Sequence, residues 1–284
     1  MKNLLKTIGN TPLIKLKRPD YSGSIQLYAK LEGNNPGGSI KDRTALYMVE
    51  QAEKKGLLHP GKTILEATSG NMGIALAMIG AYKNYPVQIV MSEGMSSERK
   101  AMLTSLGANL ILTGKRNGTL GAIATAKELV NKCPGKYWFC DQFNNPDNVR
   151  AHRAGIIEEI LQDAPDVTCI VSGVGTSGTI MGISKTIREK SLNTIIIGVF
   201  PQPGYHIQGI QHQDLDFSGQ NFDKNLIDQL VVVSPEDAYK TARHLAQSEG
   251  VFAGMSSGAA LFAAYTVSRS IRSGSIVVVL PDRG

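Results

Sequence analysis

From residue 63 onward the chain alternates short, fully apolar runs with stretches whose apolar residues recur every three or four positions. TILEA leads to NMGIALAMIGAYKN, VQIVM to SSERKAMLTSLG, and NLILTG to TLGAIATAKELVNK. YWFCDQF leads to NPDNVRAHRAGIIEEILQ, and TCIVSGVG to SGTIMGISKTIREK. TIIIGVF and LVVVS follow, then the helix PEDAYKTARHLAQSEG, then SSGAALFAAYTVSRSI and SIVVVLP. Strands that are apolar at every position are covered on both faces. With helices between them, the pattern predicts an α/β fold of largely parallel sheets. Earlier, TALYMVEQAEKKG (44–56) reads as one more amphipathic helix, entered through NNPGGSIKDR.

The least regular segment is 201–225, PQPGYHIQGIQHQDLDFSGQNFDKN, rich in Gly, Gln, Asp and Asn. A loop of that length inside a compact domain is usually functional, and it reads as substrate access rather than core. No fixed-period repeat or low-complexity tract interrupts the chain.

A length of 284 residues allows one large domain or two modest ones. A formal charge of +6 raises nucleic acid, but the cations are mixed with acids on helix faces, as in EQAEKKG and SSERKAM. Aromatic content of 6% is poor for base stacking, and the balance suits small anionic ligands equally well. Three cysteines, Cys133, Cys140 and Cys169, have neither disulfide nor zinc spacing. No apolar run is long enough to span a bilayer, and Gly9, Asn10 and Pro12 break the start too early for a secretory signal. A cytoplasmic, metal-free protein is the expectation.

Three Gly/Ser/Thr-rich turns, TSGNMG (68–73), GVGTSGT (173–179) and GMSSGA (254–259), are predicted between a strand and a helix, at the carboxyl edge where open α/β sheets bind ligands. In the second, backbone N–H groups at a helix start would cradle an anion, with hydroxyls from Thr176, Ser177 and Thr179. A tight turn with a Ser/Thr cap is the plainer reading of any one of these, and three at one edge weaken it. GVGTSG also satisfies GxGxxG. However, the next strand, TIIIGVF, is followed by Pro201 and Gln202 rather than by the acid a dinucleotide ribose requires. A dehydrogenase is therefore the weakest reading, and no Lys-Ser/Thr pair supports a Walker site. A lone phosphate, hydroxyl-rich turns and a lysine at a helix start suit pyridoxal 5'-phosphate, whose aldehyde needs an amine and whose phosphate needs a cradle. Lys41 is that lysine; the positive helix end and partial burial would favour its free amine.

Taken in order, IGNTPLIKL, AKLEGNNPGGSIKDR, LEATSGNMGIALA, ERKAMLTSLGANLILT, DQFNNPDN, GVGTSGT, EGVFAGMSSGAA and PDRG cover nearly the whole chain. In these strings the chain resembles the β-family (fold type II) pyridoxal-phosphate enzymes, and among them the cysteine synthases (O-acetylserine sulfhydrylases) of B type. The resemblance implies two domains, each with a largely parallel twisted sheet flanked by helices. The larger, cofactor-phosphate domain would be 13–34 and 146–284; the smaller, mobile one, holding the substrate carboxylate, 1–12 and 35–145. It implies that Lys41 forms the internal aldimine and shuttles the Cα proton, and that Asn71 bonds the phenolic oxygen. Gly175, Thr176, Ser177, Gly178 and Thr179 would bind the phosphate, and Ser256 would meet the pyridine nitrogen. Thr68, Ser69, Asn71 and Gln142 would hold the substrate carboxylate. Taken singly, Asn71 and Gln142 also suit helix capping or a surface amide, and Ser256 suits an N-cap.

The implied reaction is β-replacement on O-acetyl-L-serine through an aminoacrylate, giving L-cysteine with sulfide or another sulfur nucleophile. A homodimer is implied, and a contact with serine acetyltransferase is left open. Alternatives are a cystathionine or lanthionine β-synthase, an O-phosphoserine-dependent cysteine synthase, a serine dehydratase, and a binding protein that kept the fold but lost turnover. Three departures from the family pattern stand out. Met72 replaces a usual threonine, AHRAGIIEEI (151–160) replaces a Thr-Thr-Gly-Pro-Glu run, and relatives continue past the position of Gly284.

Overall fold

A computed structural model describes residues 3–17, 24–68, 70–211 and 219–284. Among these, the strands are β1 (Leu13–Lys15), β2 (Ser24–Leu31), β3 (Thr63–Ala67), β4 (Val87–Ser92), β5 (Asn109–Thr113), β6 (Tyr137–Phe139), β7 (Cys169–Gly173), β8 (Ile195–Pro201), β9 (Gln229–Val233) and β10 (Ser273–Leu280). The helices are α1 (Lys41–Lys54), α2 (Asn71–Lys83), α3 (Ser97–Ser105), α4 (Gly118–Lys132), α5 (Asp147–Arg153), α6 (Ile156–Asp163), α7 (Gly178–Glu189), α8 (Pro235–Glu249) and α9 (Met255–Ser268).

The chain divides into two compact units, Met1–Thr7 with Lys41–Asn148, and Ile8–Ile40 with Val149–Gly284. The first holds a four-stranded, all-parallel sheet in the order β5-β4-β3-β6. The second holds a six-stranded sheet, β1-β2-β10-β7-β8-β9, in which only the β1–β2 pair is antiparallel.

The continuous apolar runs have the reason expected of them. Along β10, Ile276, Val278 and Leu280 enter one core while Val277 and Val279 enter another. In β8, Ile197 and Val199 join the first core, and Ile196 and Phe200 the second. Successive side chains of a strand point to opposite faces, so a strand buried on both has no polar position to spare. Each fully buried Val or Ile contributes roughly 1.5–3 kcal/mol by leaving water.

The units cross over at different residues from those expected. Residues 8–12 belong with the larger unit because Lys30 reaches them: its Nζ donates to Thr11 O at 2.7 Å and pairs with Glu159 at 2.7 Å, and Asn10 N donates to the same Glu159 at 3.0 Å. Thr11 Oγ1 donates to the buried Glu32 at 2.6 Å. Residues 35–40 stay with that unit through the Ser39–Asp282 bridge and the Ile40 N–H to Pro281 O bond, with Ile40 in its core.

Four local expectations change. YWFCDQF is a strand only to Phe139, because Asp141 takes a left-handed φ of 49° and its carboxylate accepts both turn-closing bonds from Asn144 Nδ2. The helical run after Pro146 breaks at Ala154–Gly155 into α5 and α6. The 254–259 turn joins α8 to α9 rather than a strand to a helix, although the Ala253–Arg283 bridge still brings it to the carboxyl end of β10. Within 201–225, Ile207 and Ile210 are core residues, 1% and 3% exposed, and 212–218 lies outside the described residues.

Replacing Lys30 by Met keeps the stem and removes the cation from Thr11 and Glu159. We expect chemical denaturation to show a loss of about 3 kcal/mol, since the buried Thr11 carbonyl and the half-buried Glu159 carboxylate both lose the cation that joins them. A loss below about 1 kcal/mol would show that this network does not fasten residues 8–12.

Candidate functional site

Lys41 is the first residue of α1 and the first residue after the chain passes from the larger unit to the smaller. It is half-buried, and Asp42, Arg43 and Thr44 behind it are buried. It is therefore not a freely solvated charge, and Asp42 places an acid where the helix dipole favours one.

In the smaller unit the predicted carboxylate residues gather at the carboxyl end of β3. Thr68 follows the strand, is 7% exposed, and accepts the Gly70 N–H through Oγ1 at 3.2 Å. Asn71 is the first residue of α2; the capping position is Gly70, which offers no side-chain bond, so Asn71 is not a cap. Gln142 is buried at 4% exposure, which excludes a surface amide, and its carbonyl accepts from Asn148 Nδ2 at 2.7 Å. Ser69 lies outside the described residues. Met72 is 1% exposed and packs into the core of this unit.

Glu66, which sequence reasoning passed over as a strand residue, joins these elements. It is 1% exposed; Oε1 accepts the Ala67 N–H at 2.9 Å and Oε2 the Gln142 N–H at 3.2 Å. Burial raises its pKa from the usual 4.5 to about 8, against the two backbone N–H groups, with the Asp141 charge adding to the rise. Burial likewise pushes the neighbouring Cys140 thiol well up. The only sequence signal was an acid inside an otherwise apolar strand.

In the larger unit, Gly175, Thr176, Ser177, Gly178 and Thr179 run from β7 into α7. Ser177 precedes the helix at a left-handed φ of 67° and makes no capping bond through its side chain. Its Oγ is buried and has no hydrogen-bond partner among the described residues. A methyl group on Gly175 would stand 2.6 Å from the Gly209 carbonyl oxygen, so two backbones pass here with no room for a side chain. The 207–211 segment is tied to the same turn by the Gln211 N–H to Val174 O bond of 2.8 Å. Thr179 Oγ1 lies 3.3 Å from Nε2 of His152, which is fully buried.

Ser256 is the second residue of α9 and Gly254 occupies the cap, so its N-cap reading is excluded. Its hydroxyl donates to Asp282 Oδ1 at 3.3 Å. Gly209 approaches it as well: a Cβ there would lie 3.5 Å from Ser256 Oγ. His152, Gly209 and Asp282 escaped sequence reasoning, because their relation to the turns depends on contacts distant in the chain.

An uncapped helix start, a buried hydroxyl lacking a partner and a turn that admits only glycine form an acceptor-seeking cradle. This is the chemistry a phosphate monoester satisfies. The residues present therefore fit the cofactor that the sequence resemblance implies.

The family model described as pyridoxal-phosphate dependent enzyme matches residues 4–282. Cysteine synthase B of Escherichia coli (strain K12) is 44% identical over 285 residues, covering 100% of this chain and 93% of that protein. The crystal structure of a cysteine synthase from Entamoeba histolytica superposes with a TM-score of 0.92 at 37% identity, covering 100% of this chain and 88% of that one. That of an O-ureido-L-serine synthase gives 0.94 at 36%, covering 100% and 92%.

Gly175→Ala pushes the Gly209 backbone aside and should lower the affinity for pyridoxal 5'-phosphate at least about tenfold, as followed by absorbance titration of protein shown by circular dichroism to be folded. Unchanged affinity would show that the turn is not the cradle. Glu66 keeps its proton up to about pH 8 when folded but only to about 4.5 when unfolded. Its contribution to stability is therefore fully present below pH 4.5 and is lost as the pH rises to about 8. Glu66→Gln should flatten that limb of the curve of unfolding free energy against pH, and an unaltered slope would contradict the shift.

Proposed function

The chain belongs to the pyridoxal-phosphate dependent enzymes, and within them to the cysteine synthases, and we propose that it makes L-cysteine by β-replacement on O-acetyl-L-serine with sulfide or another sulfur nucleophile. The observation that carries the residue-level reading is the Ser177 hydroxyl, buried without a partner among the described residues at the uncapped start of α7. A phosphate oxygen there would accept from it and from the free helix N–H groups.

When bound, the cofactor supplies an electron sink for the substrate Cα and so lets the β-substituent depart as acetate. Lys41 would hold the cofactor's aldehyde through Nζ and carry the Cα proton once the substrate displaces it. Gly175, Thr176, Ser177, Gly178 and Thr179 would seat the phosphate. Asn71 would donate to the phenolic oxygen, and Thr68, Asn71 and Gln142 would grip the substrate carboxylate, with Ser69 as a further donor.

Ser256 would turn its hydroxyl from Asp282 and donate to the ring nitrogen. A hydroxyl carries no negative charge to keep that nitrogen protonated, so the sink is weaker than one backed by a carboxylate. Ser256 in that place would favour departure of the β-substituent. The segments after β3 and β6 would close on the substrate carboxylate, excluding water from it. Among the described residues no helix is long and apolar enough to cross a membrane, and the enzyme would act as a homodimer in the cytoplasm.

Lys41→Ala should lose the visible absorption band and reduce turnover by about a thousandfold, as expected when a covalent anchor and proton carrier is removed. Gln142→Ala should raise the KM for O-acetylserine while the cofactor stays bound. Full activity in the first variant, or cofactor loss as the main effect of the second, would overturn these assignments.

A further inference from the structure

The β3–β6 ladder pairs Thr63 with Tyr137, Ile64 with Trp138 and Leu65 with Phe139, and ends with the Cys140 N–H to Leu65 O bond of 3.0 Å. A further rung of a parallel ladder would bond the Gln142 N–H to Ala67 O and the Ala67 N–H to Cys140 O. Neither bond forms. Asp141 turns away at its left-handed φ of 49°, and Cys140 O accepts from Asn145 Nδ2 at 3.1 Å instead. The two donors left over, the N–H groups of Ala67 and Gln142, go to the two oxygens of Glu66. The carboxyl group thus replaces the rung that the backbone cannot make.

Burying such a group is costly, and packing on this face of β3 does not call for an acid, since Ile64, two residues back on the same face, is a fully buried apolar residue. The two segments that Glu66 joins continue directly into Thr68–Asn71 and Gln142. We propose that Glu66 is a positioning residue for substrate: it holds the segments after β3 and β6 in one register, so that Thr68, Asn71 and Gln142 close on the substrate carboxylate together. This rests on the assignment of those three residues to the carboxylate. With or without a proton, each oxygen of a carboxyl group can accept an N–H, whereas an amide nitrogen cannot. Glu66→Gln therefore keeps the shape and strands one of the two donors.

The test titrates the holoenzyme with O-acetylserine, following the visible spectrum and turnover, for wild type, E66Q, Gln142→Ala and the double variant. E66Q should raise the half-saturating concentration about tenfold, with turnover at saturation within about twofold and cofactor retention unchanged. The double variant should be little weaker than Gln142→Ala alone, because both changes act on one grip. No shift in E66Q alongside a clear shift in Gln142→Ala overturns the role of Glu66 while the carboxylate assignment stands. No shift in Gln142→Ala removes the assignment itself, and the inference with it. Should E66Q fail to fold, amide hydrogen exchange on the wild-type holoenzyme decides. The Ala67 and Gln142 amides should be protected together, and more so with L-alanine, which has the carboxylate and no leaving group. Either amide exchanging as an open loop does overturns the inference.

Discussion

An anion is bound well only by donors that nothing else has claimed, and in the function we propose the start of α7 meets that requirement. Ser177 holds a left-handed backbone, caps nothing through its side chain, and keeps a buried hydroxyl without a partner among the described residues. Gly175 passes so close to the Gly209 carbonyl that a methyl group would collide at 2.6 Å. The rest of the larger unit serves this turn. β7 delivers it from the middle of a sheet buried on both faces, and Ile207 and Ile210 anchor the segment that presses against it. His152 and Asp282 lie beside Thr179 and Ser256.

The smaller unit meets a different demand with the same economy. In the function we propose, a substrate carboxylate is recognised by groups from two chain segments, and those segments part where β6 ends. Glu66 spans the gap with one side chain, and burial rather than an ion pair sets its proton affinity. Both units therefore place their chemistry at the carboxyl ends of parallel strands, where helix starts and strand ends leave backbone groups available.

Much of this was legible in the chain. TILEA is β3 from end to end, and the turns at 68–73 and 173–179 fall between strand and helix as the Gly, Ser and Thr content predicted. What escaped depends on partners distant in sequence. The β1–β2 hairpin edge is short, and its place is fixed by pairing with β10, which comes at the far end of the chain. YWFCDQF carries enough apolar character for a longer strand, and only the left-handed Asp141 ends it. AHRAGIIEEI looks like a departure in a helix, yet it supplies Ile156, Ile157 and Ile160 to a core and Glu159 to Lys30. The 201–225 segment reads as polar loop by composition, but Ile207 and Ile210, which share a core with Ala238 and Leu245 of α8 further along the chain, make part of it structural.

Phosphorus NMR of the holoenzyme across a pH series addresses the cradle most directly. A phosphate seated on the α7 start, with Ser177 donating, is held as the dianion, so its signal should stay fixed between about pH 5.5 and 8. A signal that titrates with a midpoint near about 6, as a solvent-exposed phosphate monoester does, would contradict the central claim.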